Sequence, residues 1–125
     1  MGQAAQPRPP VVLVVEDQPL LRMMAVDMVE DAGFEVVEAA DADEAIAILE
    51  ARADIRIVFT DVDMPRGMDG IRLAASIRDR WPPIDIIITS GKVAVSTEMM
   101  PARSVFFSKP YRPQEVVALM QSMVA

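Results

Sequence analysis

The chain has 125 residues, which suits one ordinary domain and is too short for two. Its formal charge is −7, with 12 Lys and Arg against 19 acids, so no basic surface can be assembled to grip a nucleic-acid backbone. It has no Cys and no His, which removes disulfides, thiolate metal sites, histidine bases and histidine as a phosphoryl carrier; any metal must take oxygen ligands, which favours Mg²⁺ or a similarly hard cation.

Residues Met1–Pro10 lack the basic start and apolar core of a signal peptide. They are expected to form a short disordered tail, stiffened by Pro7, Pro9 and Pro10, ahead of a domain over 11–125. No apolar run approaches the roughly 20 residues of a membrane helix, so no membrane association and a cytoplasmic location are expected. Val11–Val15 is a continuous β-branched run, the pattern of a strand buried on both faces. Pro19 suits the first turn of a helix. Leu21, Met24, Ala25 and Met28 follow at helical spacing as its core face, and Gly33 ends it. Phe34–Ala39 reads as a more polar second strand. Asp41 and Glu44 form a capping box ahead of a helix carrying Ala45, Ile46 and Leu49.

Ile55–Thr60 reads as a third strand running straight into Asp61. A loop from Asp61 to Asp69 leads to a third helix from about Gly70, burying Ile71, Ala74 and Ile77 and stopping at Trp81-Pro82-Pro83. Ile84–Ser90 and Ser104–Ser108 are the fourth and fifth strands, and Pro113 opens a last helix with Val116, Val117, Met120 and Met123 on one face. Between the last two strands, Gly91–Arg103 has little periodic apolar pattern; a short or irregular helix near Ala94–Met100 is expected there, ordered further on activation. Strands alternating with helices predict a doubly wound α/β fold, a parallel sheet covered on both faces.

Ligands of open α/β sheets bind beyond the carboxyl ends of the strands. The first strand delivers Glu16 and Asp17 there, the third Asp61 with Asp63 close behind, the fourth Thr89 and Ser90, and the fifth Lys109 followed by Pro110. Clustered carboxylates repel one another unless a cation such as Mg²⁺ neutralises them. A carboxylate can act as nucleophile toward phosphorus, and charge on phosphoryl oxygens needs fixed positive groups and donors, here Lys109 and the Ser90 hydroxyl. The plain alternatives are an acidic turn capping the helix at Glu16-Asp17, a strand-ending turn at Asp61 or Asp63, and a core aromatic at Phe106. The methionines at helical spacing read as core.

These residues also resemble those of bacterial two-component response-regulator receiver domains, the chemotaxis receiver among them. Glu16-Asp17 after the Val-rich strand resembles the acidic pair, and Thr60-Asp61-Val62-Asp63-Met64-Pro65 with Met68-Asp69-Gly70 the phosphoacceptor segment. Thr89-Ser90-Gly91 resembles the hydroxyl switch segment, and Phe107-Ser108-Lys109-Pro110-Tyr111 the lysine segment. Each motif is weak alone; four in the right order on the right strand ends are specific. The resemblance implies five parallel strands in the order 2-1-3-4-5. It implies that Asp61 is phosphorylated by a histidine kinase or histidine phosphotransfer protein. Asp17 and Asp61 would ligate Mg²⁺ directly with the backbone carbonyl of Asp63, and Glu16 through a water. Ser90 would bond the phosphoryl group, Lys109 would contact its oxygen, and Lys109-Pro110 would be cis. A changed surface would then meet a downstream protein that the sequence does not name.

Three departures concern the signalling face. The loop Pro65-Arg66-Gly67-Met68-Asp69 is one residue longer than the commonest pattern, Gly91–Phe106 is short for its helix, and the aromatic switch position is Phe106, with no hydroxyl. Two other readings compete: a haloacid-dehalogenase-like phosphohydrolase, whose nucleophile motif Asp61-Val62-Asp63 resembles, and a pseudo-receiver serving only as a binding module.

Overall fold

The computed structural model describes residues 8–64, 69–91 and 101–125. The chain runs β1 (Val11–Val15), α1 (Pro19–Asp31), β2 (Glu35–Ala39), α2 (Ala42–Ala51), β3 (Ile55–Asp61), α3 (Gly70–Arg80), β4 (Asp85–Ser90), β5 (Ser104–Ser108) and α4 (Pro113–Met123). All five strands are parallel and stand in the order β2-β1-β3-β4-β5, as expected. The tail over 1–7, the loop residues 65–68 and the segment 92–100, with the irregular helix expected near Ala94–Met100, lie outside the described residues.

The alternation of each strand sorts its side chains onto two cores. Leu13, Val15, Val58, Ile86 and Ile88 pack with Ala45 and Leu49 of α2 and Leu73 and Ile77 of α3. Val12, Val14, Ile57, Phe59 and Ile87 pack on the other face with Val29 of α1 and Val116 and Met120 of α4. All of β1 is buried, which explains its unbroken Val-rich run. Each such side chain contributes roughly 1.5–3 kcal/mol by leaving water.

Local signals account for the helix ends. Asp41 accepts the Glu44 amide at 2.8 Å, while the Glu44 carboxylate accepts the Ala40 amide at 3.0 Å, so the capping box forms with its return bond one residue early. Gly33 closes α1 at φ 96°, where a side chain would be strained.

The face of α1 corrects the sequence reading. Leu21 and Met24, assigned there to the core, are 37% and 59% exposed; the buried residue is Val29, supported by Ala25, Val26 and Met28. Leu20 and Met23 are exposed as well, so the first two turns of α1 present apolar side chains to solvent. In α3 the deeply buried residues include Leu73 beside Ala74 and Ile77, while Ile71 is half-buried. Both helices have apolar residues on more than one face, and helical spacing alone does not say which face meets the sheet. The second, third and fourth strands each shift by one residue at an end: Phe34 and Ile84 precede their ladders, and Asp61 belongs to β3.

Candidate functional site

The sheet order reverses direction between β1 and β3, and their carboxyl ends flank the crevice this leaves. Glu16, immediately after β1, extends the β1–β2 ladder by donating its amide to the Ala39 carbonyl at 3.1 Å. Its own carbonyl accepts Arg22 Nη1 at 3.0 Å, and Arg22 Nε reaches Glu38 at 3.0 Å, so an α1 guanidinium fixes the acidic turn from behind. Asp61 ends β3 and is 5% exposed. Its Oδ2 accepts Lys109 Nζ at 3.1 Å and its Oδ1 accepts the Asp63 amide at 3.2 Å. Lys109 Nζ also lies 3.8 Å from Glu16 Oε1.

One carboxylate oxygen each from Glu16, Asp17 and Asp61 lie within 4.8 Å of one another. Asp17 Oδ1 is buried with no hydrogen-bond partner among the described residues. A buried carboxylate oxygen without a partner is costly in an apo fold and is satisfied by a cation placed among the three. Oxygen-only donors at this spacing fit a hard divalent ion.

Lys109 is held by its own backbone. Its amide donates to the Ser90 carbonyl at 2.9 Å, its peptide bond to Pro110 is cis, and Gly91 lies against its stem, where a Cβ would sit 3.6 Å from Lys109 Cβ. Ser90 is buried, and its hydroxyl donates to Asp63 Oδ2 at 3.1 Å. Thus Glu16, Asp17, Asp61, Asp63, Ser90 and Lys109 stand together at this edge of the sheet. Phe106 does not join them; it is half-buried, in register with Ile88, and packs on the α2–α3 core.

The structure adds what the sequence reading missed. Gly70 N–H donates to the Val62 carbonyl at 3.2 Å, which brings α3 against the backbone of Asp61. Tyr111 stands edge-on to Phe59 with ring centroids 6.0 Å apart. Beside the acidic cluster an open groove of about 980 Å³ runs between α1 and α4, lined by Leu21, Met24, Met28, Tyr111 and Val117.

Burial pushes the Glu16 carboxyl up from 4.5 to about 7; the Gln18 amide opposes this, Asp61 and Asp17 add to it, and Lys109 draws it back. The folded state therefore binds this proton more tightly than the unfolded chain does. The resulting stabilisation is complete below about pH 4.5 and is lost as pH rises through about 7. Glu16→Gln, which keeps the shape without the charge, is expected to stabilise the metal-free fold by about 2 kcal/mol at pH 8 and by little near pH 4.5. Urea unfolding at the two pH values measures the difference.

The whole domain carries a family signature: residues 12–121 match the model of the response regulator receiver domain. The chain belongs to this family. Among relatives, it is 37% identical over 111 residues to the chemotaxis protein CheY of Thermotoga maritima, the match covering 85% of this chain and 90% of CheY. It is 33% identical over 117 residues to the sensor kinase CckA of Brucella abortus, covering 90% of this chain. The chain spans 12% of the length of that kinase. A solved response regulator receiver protein from Sinorhizobium medicae shares the fold, with a TM-score of 0.86 at 24% identity over 93% of this chain and 94% of that one. This receiver domain is thus a component of two-component signalling. Among the described residues no helix is long and apolar enough to cross a membrane.

Proposed function

We propose that this receiver domain accepts a phosphoryl group onto Asp61 from a phosphohistidine donor and signals by the change in its surface that follows. The observation that carries the reading is the Asp61 carboxylate, buried at the end of β3 with Lys109 Nζ 3.1 Å from one oxygen. An Asp61 oxygen attacks phosphorus, the bond from phosphorus to the donor's imidazole nitrogen breaks with its electron pair going to the ring, and an acyl phosphate forms. Lys109 holds the reacting carboxylate and stands beside the phosphoryl oxygens once they arrive.

Mg²⁺ fits the donor set. Asp17 and Asp61 would hold it directly with the backbone carbonyl of Asp63, and Glu16 through a water; when bound, the ion neutralises charge on phosphoryl oxygens. The orphaned Asp17 Oδ1 supports this assignment. Receiver domains are phosphorylated by histidine kinases or histidine phosphotransfer proteins, and one of these is the proposed donor. The partner that this domain itself meets is proposed to be a protein, with no direct contact to nucleic acid or a membrane. A net charge of −7 disfavours a direct nucleic-acid role. Ser90 and Phe106 are the proposed switch residues, at the site and on the neighbouring strand respectively.

The family match sets the phosphohydrolase reading aside. A binding-only pseudo-receiver is disfavoured because Asp61 and Lys109 are both present and in contact. Incubation with acetyl phosphate, read by intact mass, tests the proposal. It predicts one phosphoryl adduct that requires Mg²⁺ and is removed by hydroxylamine. No adduct with Mg²⁺ in excess would contradict it.

A further inference from the structure

Asp63 makes two bonds at the site, and they pull in different directions. Its backbone amide donates to Asp61 Oδ1 at 3.2 Å, tying the loop to the reacting carboxylate. Its side chain does something else: Oδ2 accepts the hydroxyl proton of Ser90 at 3.1 Å. A serine hydroxyl carries a single proton. While that proton is donated to Asp63, it is not available to an oxygen attached to Asp61.

The surroundings make this bond matter. Ser90 is 1% exposed, so solvent competes poorly for its hydroxyl. A hydroxyl bonded to a carboxylate makes a charge-assisted bond, stronger than one between neutral groups. The backbone of Ser90 is also fixed. Its carbonyl accepts the Lys109 amide at 2.9 Å, and the preceding carbonyl, of Thr89, accepts the Val62 amide at 2.8 Å. Rotation about the Ser90 Cα–Cβ bond is then the smallest movement that re-aims the proton.

We propose that the Asp63 carboxylate is a latch: in the resting state it holds the Ser90 proton, and a phosphoryl group on Asp61 has to displace it. The latch rests on the phosphoacceptor reading of Asp61. Asp63 is a positioning residue here, acting through Ser90. It raises the free energy of the activated arrangement, because a ligand shifts such an equilibrium only by its differential contacts with the two states. A stronger resting bond lowers the apparent affinity for any phosphoryl mimic.

The test compares Asp63→Asn with Asp63→Ala. Both remove the charge, but Asn keeps an acceptor oxygen and Ala does not. Calorimetric titration with beryllofluoride in excess Mg²⁺ gives the affinity of each, alone and combined with Ser90→Ala. The latch predicts that Asp63→Ala binds about fivefold more tightly than Asp63→Asn, the worth of one hydrogen bond. With Ser90→Ala present, the two should bind alike, because the proton in question is gone. Equal affinities of Asp63→Ala and Asp63→Asn where Ser90 is intact, or a difference that survives Ser90→Ala, would overturn the latch while leaving Asp61 as acceptor. Absence of Mg²⁺-dependent binding in every form, including the unaltered chain, would overturn the phosphoacceptor reading and the latch with it.

Discussion

Asp61→Asn is expected to leave the domain folded and to abolish phosphoryl uptake, with a fall on the order of 10³-fold or more in the rate of adduct formation. The substitution preserves shape. Its single amide oxygen can still accept from one of the two donors that hold Asp61 now, the Asp63 amide on Oδ1 or Lys109 Nζ on Oδ2, while the amide nitrogen takes the place of the other acceptor. What is lost is the nucleophile, because an amide oxygen does not form a stable bond to phosphorus. Two effects on stability oppose each other. Removing one of three clustered negative charges relieves repulsion with Glu16 and Asp17. Lys109 loses its 3.1 Å ionic partner and keeps Glu16 at 3.8 Å. The net change in the metal-free fold should stay within about 1 kcal/mol. Intact mass and urea unfolding on the same preparation separate lost chemistry from lost structure. A phosphoryl adduct on the folded variant would move the acceptor to another residue.

Gly70→Ala should give the largest loss of stability of any conservative change at the site. A Cβ on residue 70 would press into the Asp61 carbonyl oxygen and stand 2.8 Å from the Asp61 carbonyl carbon and 2.9 Å from Val62 Cα. All three atoms are backbone, so no rotamer change relieves the overlap; α3 and the end of β3 must move apart. That motion strains the Gly70–Val62 hydrogen bond, and it displaces the residue that carries the acceptor. Overpacking against fixed backbone costs about 3 kcal/mol, or a fall of roughly 10 °C in Tm for a domain of this size. Phosphoryl uptake should slow as well, since Asp61 and Lys109 are set by the same β3–β4–β5 register. Thermal unfolding and the rate of adduct formation check the two parts. A variant as stable as the parent would mean that the α3 start has room the structure does not show.

Much of this arrangement was legible in the sequence because it depends on strand ends. Once Val11–Val15, Ile55–Thr60 and the two later apolar runs are read as parallel strands, the residues that follow them have to meet at one edge. Glu16, Asp17, Asp61, Ser90 and Lys109 are polar residues at those strand ends. The rest depends on tertiary facts that a linear pattern does not hold. Leu21 and Met24 have the right spacing for a core, yet in the fold Val29 is the residue of α1 that is buried against the sheet. The helix start is expected near Gly70, and Asp69 caps α3 there by accepting the Arg72 amide at 2.9 Å. That the same glycine also has to clear the backbone of Asp61 followed only from the packing of α3. Arg22 sits on α1 between a carbonyl and a carboxylate from other elements, and its sequence neighbours gave no hint of either. The bond between Ser90 and Asp63 joins residues 27 apart on different strand ends, and only the fold shows that they are paired.

The central claim, that Asp61 is the acceptor in a metal-dependent site, is tested most directly by locating the phosphoryl group. Acyl phosphates are reduced by borohydride to the corresponding alcohol, which converts an aspartyl phosphate into homoserine. The domain is treated with acetyl phosphate, with Mg²⁺ in one sample and a chelator in the other, then reduced, digested and sequenced by mass spectrometry. The account predicts homoserine at position 61 in the Mg²⁺ sample and unmodified Asp61 in the other. Homoserine at position 17 or 63, or equal conversion without the metal, would contradict it.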